Sequence, residues 1–404
     1  MKEVVVVNPI RTPMGSHGGA LRSKRAQDLA EIVFRAVLEQ TGLDPALLDE
    51  VILGCIGQPS DAANIGRVAA LMAGVPIEVP GFTVQRNCAS GMQSVTSAYQ
   101  AIQAGDGEIY LCGGVESMSN IPYILKKARW GYKLRHAELT DALWEGLTDP
   151  ICGLVMGGTA ENLAEKYNIS REEQDKYAIQ SHKKAFMAQR MGKFDDEIAP
   201  VEIIKRVAGK EVAREKIIHD ETINPSLTVQ KAALYPTVFK KGGTVTPANA
   251  CPISDGAAAL IVCTAEKAEE LGLKPTARVV AYAYAGVDPA YMGIGPAFAI
   301  PKVLKKANLG MDDIDLIELN EAFAAQVLAD VKELESQGFG WDWEKVNVNG
   351  GAIALGHPVG CTAAKLIATL THEMQRREAR YGMDTMCVGG GQGGALILER
   401  IPMD

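Results

Sequence analysis

The sequence has no Cys-x-x-Cys pair, although it contains eight cysteines, at positions 55, 88, 112, 152, 251, 263, 361 and 387. That absence removes the usual zinc-site and thioredoxin-like readings, and the scatter suits a reducing cytosol better than a disulfide framework. Long apolar runs are missing too. The opening "MKEVVVVNPIRTP" holds four valines before Asn8 and Pro9, too few for a signal-peptide core, and no stretch approaches a membrane span. The final "RIPMD" carries no obvious address. Positive charge is in deficit. A formal charge of −8 argues against general binding to nucleic acid or to an anionic membrane, while leaving room for a local basic patch that holds a phosphorylated ligand. What is present is ordinary globular composition, 47% hydrophobic and 22% charged, in 404 residues, enough for two or three folded domains.

The chain repeats itself. "VLEQTGLDPALLDEVILG" (37–54) aligns without gaps on "VLKKANLGMDDIDLIELN" (303–320), each a helix end, a turn and an apolar strand. A glycine-rich turn and helix (Cys88 to Ala104) then lead to "EIYLCGG", as "LGHPVG" and a helix to about Arg377 lead to "DTMCVGGG". Helices alternating with Val- and Ile-rich runs predict an α/β fold of two similar domains packed together. The first copy is interrupted. We read 1–119 and 246–272 as one domain, 273–404 as the second, and 120–245 as an insertion projecting from the first.

The insertion holds the most basic stretches, "KKARWGYKLRH" (126–136) and "KRVAGKEVAREK" (205–216). Such runs are most often solvated surface; here they are also candidates to offer cations to an anionic ligand. The helix "SREEQDKYAIQSHKKAFMAQRMG" has Ser170 as N-cap, Glu173 three residues on and a glycine at its end.

An isolated intracellular cysteine is ordinarily a small buried hydrophobe, so a chemical role must come from its surroundings. Cys88, in "QRNCASGMQS", stands where a helix begins, and free N–H groups with the helix dipole should lower its thiol pKa. Of six histidines, His17, His136, His182, His219 and His372 read as surface residues. His357 is enclosed in "NGGAIALGHPVG", a turn that exposes an imidazole at a strand end. Cys387 ends a strand before "VGGGQGG", whose open N–H groups suit an oxyanion. That run matches G-x-G-x-x-G, but a strand rather than a helix follows, which excludes a dinucleotide site. Cys112, in "YLCGGVES", holds the strand-end place that mirrors Cys387 and reads as structural. If the copies pack about a pseudo-twofold, Cys88, His357, Cys387 and the "LNEAFAA" segment (319–325) meet near the centre.

These segments, with "RTPMGSHGGAL" and "GGTVTPANACPISDGAAAL", strongly resemble the signatures of the thiolases, CoA-dependent acyltransferases that make or cleave 3-ketoacyl-CoA. The resemblance runs end to end. It implies a duplicated α/β domain with an inserted loop domain, a homodimer or homotetramer, and acyl-CoA, acetyl-CoA and CoA as ligands with no metal or separate cofactor. Carried over by motif, Cys88 resembles the acylated nucleophile, His357 its base and Cys387 the second acid/base. Asn320 is similar to the asparagine of one oxyanion hole, and the N–H groups of Cys88 and Gly389 to the other. Met156, Met292, Ala322 and Phe323 match positions lining the pantetheine and acyl channel, and Cys251 stands where the family has a serine approaching pantetheine. Val155 replaces the histidine of short-chain biosynthetic thiolases, which leans toward a roomier, more apolar site. The alternatives are a decarboxylating ketoacyl synthase, which wants a histidine or asparagine in place of Cys387, a carrier of lipid or CoA without turnover, which has no need of both thiols, and a cysteine hydrolase, which needs neither the duplication nor Cys387.

Overall fold

The repeated segment folds the same way twice in the computed structural model, which describes residues 2–207 and 210–402. Strand β1 (Val4–Arg11) is followed by helix α1 (Ala26–Thr41), β2 (Glu50–Gly54), β3 (Gly81–Val84), α2 (Ser90–Ala104) and β4 (Ile109–Ser117). After the insertion come β5 (Ser254–Thr264), β6 (Pro275–Gly286), α3 (Gly295–Ala307) and β7 (Leu316–Leu319). Helix α4 (Thr362–Arg377), β8 (Tyr381–Val388) and β9 (Gln392–Arg400) complete the chain. Helices α1 and α3 both end on a left-handed residue, Gly42 at φ 67 and Asn308 at φ 54, the conformation that frees the chain to turn toward the next strand.

These strands form one sheet in the order β7-β8-β9-β6-β1-β5-β4-β2-β3. Each half has the same pairing: β2 runs parallel to β4 and β4 antiparallel to β5, as β7 runs parallel to β8 and β8 antiparallel to β9. Antiparallel pairing of β1 with β6, through Val5 opposite Arg278, joins the halves into a continuous sheet. Val5 and Val7 face an apolar cluster with α1, and Val4 and Val6 face a second cluster with α2 and α4. Period-two alternation therefore loads both faces. Each fully buried valine contributes about 1.5–3 kcal/mol. A third cluster lies on the other side of the second half, with α3.

The second cluster sets the site, because it holds α2 against α4. An ideal Cβ on Gly91 would lie 2.6 Å from the backbone nitrogen of Ala364, so the small residues at both helix starts permit the approach. Two N-terminal ends, one from each half, are thereby brought together.

The segment between β4 and β5 makes contacts with both halves. Its helix Arg171–Arg190 begins at the expected Ser170–Glu173 capping box. That helix docks on the second half, where Tyr177 Oη and Ser181 Oγ donate to Glu321 over 2.9 and 2.6 Å. The hairpin Val201–Val207 with Lys210–Ile217 lays Val201, Ile203 and Ile217 on the first half's outer cluster. No helix among the described residues is long and apolar enough to cross a membrane.

Candidate active site

Between β3 and α2 the chain makes a tight turn through Asn87, held at φ 42. Ser90 Oγ accepts from the N–H of Arg86 at 2.8 Å and donates to the carbonyl of Asn87 at 2.7 Å, which fixes the turn. Cys88 follows, half-buried, and lines a cavity of about 380 Å³. Met156, Cys251, Met292, Ala322, Phe323 and His357 line the same cavity, drawn from the insertion and both halves. The remaining expected residues stand just behind this wall. Cys387, fully buried at the end of β8, lies within electrostatic reach of Cys88 and Cys251. The backbone N–H groups of Gly389 and of Cys88 itself act to lower the pKa of the Cys88 thiol. Asn320 is buried, and its Nδ2 lies 3.4 Å from His357 Nε2.

Two elements that the sequence reading missed hold the histidine. Nδ1 of His357 lies 2.6 Å from Thr362 Oγ1, on the first residue of α4. Glu116, buried at the end of β4, accepts from the N–H groups of Ile56 (3.1 Å), Gly57 (2.8 Å) and Gly360 (2.9 Å). One carboxylate thus ties the His357 loop to the opposite half. The signal in sequence was only proximity, Glu116 to "YLCGG" and Thr362 to "GHPVG".

Burial dominates the electrostatics. Desolvation pushes the Cys88 thiol up to about 11, against the opposing pull of the Gly389 N–H. Cys251 rises to about 12 and Cys387 well above the ordinary thiol value, in both cases mainly by burial. Desolvation, helped by the Lys365 ammonium, pushes His357 down to about 3. At rest the proton sits on sulfur and the imidazole is neutral, a base waiting for an acid. The expected lowering of the Cys88 pKa is therefore not found: removal from water outweighs the backbone N–H groups of Gly389 and Cys88.

Other expectations also change. Strand register places Ile52 opposite Cys112 and Glu318 opposite Asp384. Because the repeat aligns Ile52 with Glu318, Asp384 is the counterpart of Cys112, and Cys387 lies three residues further along. Cys112 is structural as expected, buried with its Sγ 3.5 Å from the Ser94 carbonyl oxygen. His182 is not a surface residue. It is buried, and its Nδ1 accepts the N–H of Asn224 at 3.1 Å. His17, expected to be surface, is exposed but stands on the cavity wall. Neither basic stretch lines the cavity among the described residues. Lys126 pairs with Glu145, and Arg214 with Glu202 and Glu211. The second stretch includes Ala208 and Gly209, which lie outside the described residues.

Known proteins resemble the chain along nearly its whole length. The family model described as thiolase, N-terminal domain, matches residues 4–266, and that described as thiolase, C-terminal domain, matches residues 273–400. An acetyl-CoA acetyltransferase of Syntrophomonas wolfei is 46% identical over 404 residues, covering 99% of this chain and 100% of the relative. One from Pseudomonas aeruginosa is 47% identical over 401 residues, with 99% and 100% coverage. Among solved structures, the Bacillus anthracis acetyl-CoA acetyltransferase superposes with a TM-score of 0.95 at 47% identity, covering 99% of each chain. The human mitochondrial 3-ketoacyl-CoA thiolase in complex with CoA gives 0.93 at 43%, covering 99% of this chain and 98% of that one. The chain belongs to the thiolase family and is an acyltransferase.

Proposed function

We propose that this acyltransferase moves an acyl group reversibly between CoA and acetyl-CoA through a thioester on Cys88. The reaction is 3-ketoacyl-CoA plus CoA giving acyl-CoA plus acetyl-CoA, acetoacetyl-CoA included. The observation that carries the reading is one cavity wall holding both Cys88 and His357, with Cys387 buried behind it. In one half-reaction His357 takes the Cys88 proton as sulfur attacks the thioester carbon, and CoA leaves with that proton. In the other, Cys387 as its thiolate removes a methyl proton of acetyl-CoA, and the resulting carbanion attacks the acyl carbon on Cys88. The bond from that carbon to the Cys88 sulfur breaks, and the Cys88 thiolate regains the proton from Cys387 as 3-ketoacyl-CoA leaves. The N–H groups of Cys88 and Gly389 stabilise the oxyanion at that carbon, and Asn320, holding a water beside His357, serves the thioester oxygen of the CoA substrate through that water. A decarboxylating synthase is disfavoured by the thiol of Cys387 where that chemistry uses histidine or asparagine.

Met156, Met292, Ala322, Phe323 and Cys251 form the channel for pantetheine and acyl chain in this reading, as their shared cavity supports. The CoA complex of the human relative supports CoA as the ligand. We read 120–245 as the CoA-binding loop domain within a first domain of 1–119 and 246–272, followed by 273–404. We read the first basic stretch as meeting the CoA phosphates, a reading supported by its sequence neighbours Tyr123 and Asp141 on the cavity wall; the second has no such neighbour there. Trp130 and Leu134, 86% and 90% exposed on that loop, support a homodimer or homotetramer, and the dispersed free cysteines a cytoplasmic setting. Val155 beside Leu143, Trp144 and Leu147 supports acyl chains longer than four carbons.

Incubation with acetyl-CoA followed by peptide mass mapping tests the nucleophile. Acetyl groups should be found on Cys88, and acetylation confined to Cys387 or Cys251 would overturn the assignment. Thiolysis rates across 3-ketoacyl-CoAs of increasing length test the chain reading, which strict restriction to acetoacetyl-CoA would contradict.

A further inference from the structure

We infer that Thr362 is a positioning residue that holds His357 in the tautomer with its proton on Nδ1, leaving the Nε2 lone pair free for the proton of Cys88. This rests on the reading of His357 as the base. Thr362 is the first residue of α4 and fully buried. Its Oγ1 is 2.9 Å from the carbonyl oxygen of Pro358, to which it donates. The same carbonyl receives the N–H groups of Cys361 at 2.9 Å and Thr362 at 3.0 Å, so the chain folds back tightly and fixes the hydroxyl. A threonine hydroxyl has one proton. With that proton on the Pro358 carbonyl, only oxygen lone pairs face His357 Nδ1, 2.6 Å away, and Nδ1 must be the donor.

On the other side of the ring the Asn320 amide lies 3.4 Å from Nε2. The ring itself stands on the cavity wall with Cys88. The hydrogen bond from Nδ1 to Thr362 therefore sets the direction of proton flow. When sulfur attacks the thioester, the S–H proton passes to Nε2 and the new carbon–sulfur bond forms. The bond from the acyl carbon to CoA sulfur then breaks, and the departing thiolate takes the proton from Nε2. Throughout, the Nδ1 proton stays on the ring and is held by Thr362 Oγ1. The imidazolium formed in between is buried, so its Nδ1–H needs that acceptor more than the neutral ring does. Thr362 thus acts through His357 without touching substrate, the arrangement by which a third residue orients a nucleophile's base.

The test uses the full-length enzyme, 15N-labelled at histidine, with Thr362→Val, Thr362→Ser and His357→Ala. Nitrogen shifts of His357, assigned by their loss in His357→Ala, should show a protonated Nδ1 and an unprotonated Nε2 in the wild type. Thr362→Val, close in shape but without the hydroxyl, should slow acetyl transfer from acetyl-CoA by roughly 10- to 100-fold. Its KM should change little, and Thr362→Ser should restore most of the rate. A proton on Nε2 in the resting wild type would overturn the inference, even if Thr362→Val failed to fold. So would wild-type acylation by Thr362→Val while His357→Ala was inactive. If His357→Ala acylated normally, the base assignment would fail instead, and the wild-type spectrum would still decide whether Thr362 sets the tautomer.

Discussion

The side-chain amide of Asn87 donates to the carbonyl oxygen of Gly389 over 2.7 Å, so the residue before the nucleophile is tied to the loop that follows Cys387. The bond spans the two halves. It ties down Gly389, whose N–H acts to lower the pKa of the Cys88 thiol, and Asn87 itself adopts φ 42, which asparagine tolerates better than most residues.

Replacing Asn87 with glycine keeps the backbone conformation and removes the amide. Acetyl transfer to the enzyme should fall on the order of tenfold, the effect of one lost positioning hydrogen bond. Asn87→Asp puts a carboxylate against the carbonyl and should fall further. Stopped-flow release of CoA checks both, with circular dichroism to show that the fold persists. Unchanged rates in Asn87→Asp would mean that this bridge does not position the site.

Because burial pushes the Cys88 thiol up to about 11, it is not a thiolate near neutrality. Alkylation of Cys88 by iodoacetamide should therefore be slow near neutrality and rise about tenfold per pH unit toward pH 11. Peptide mapping would isolate the Cys88 adduct from those of the other thiols. A plateau below pH 8 would show a preformed thiolate.

His182, pushed by burial from 6.5 down to about 4, predicts acid sensitivity of the fold. Between those values the unfolded chain binds a proton that the folded protein refuses, so stability falls as pH drops from 6.5 to about 4 and is retained above it. The loss is on the order of a few kcal/mol for the whole shift. Denaturant titration of His182→Gln across this range should show a shallower decline than the wild type. Equal slopes would remove His182 as a cause.

Much of the architecture was legible because local chemistry repeats. Gly42 and Asn308 mark the same left-handed helix end, and the strands that follow them occupy equivalent places in the sheet. The candidate residues were legible as motifs, and Cys88 and His357 do share one cavity. Three things were not legible. Register decides that Asp384, not Cys387, matches Cys112, and a short glycine-rich alignment cannot fix register. The Cys88 pKa depends on how much water the insertion and both halves exclude, a property of packing across distant segments. The packing that buries His182 likewise comes together only in three dimensions, although its flanking sequence is polar.

The division of labour between Cys88 and Cys387 is the centre of the account, and one variant tests it most directly. Cys387→Ala removes a proton acceptor while leaving Cys88, His357 and the Gly389 N–H in place. Both half-reactions should be timed in the same folded preparation. Acetyl transfer to Cys88 should survive, seen as a burst of about one CoA per subunit. Carbon–carbon bond formation should drop by about 10²–10⁴-fold, and exchange of the acetyl-CoA methyl hydrogens with solvent deuterium should drop with it. Equal losses in both half-reactions would contradict separate roles for the two thiols.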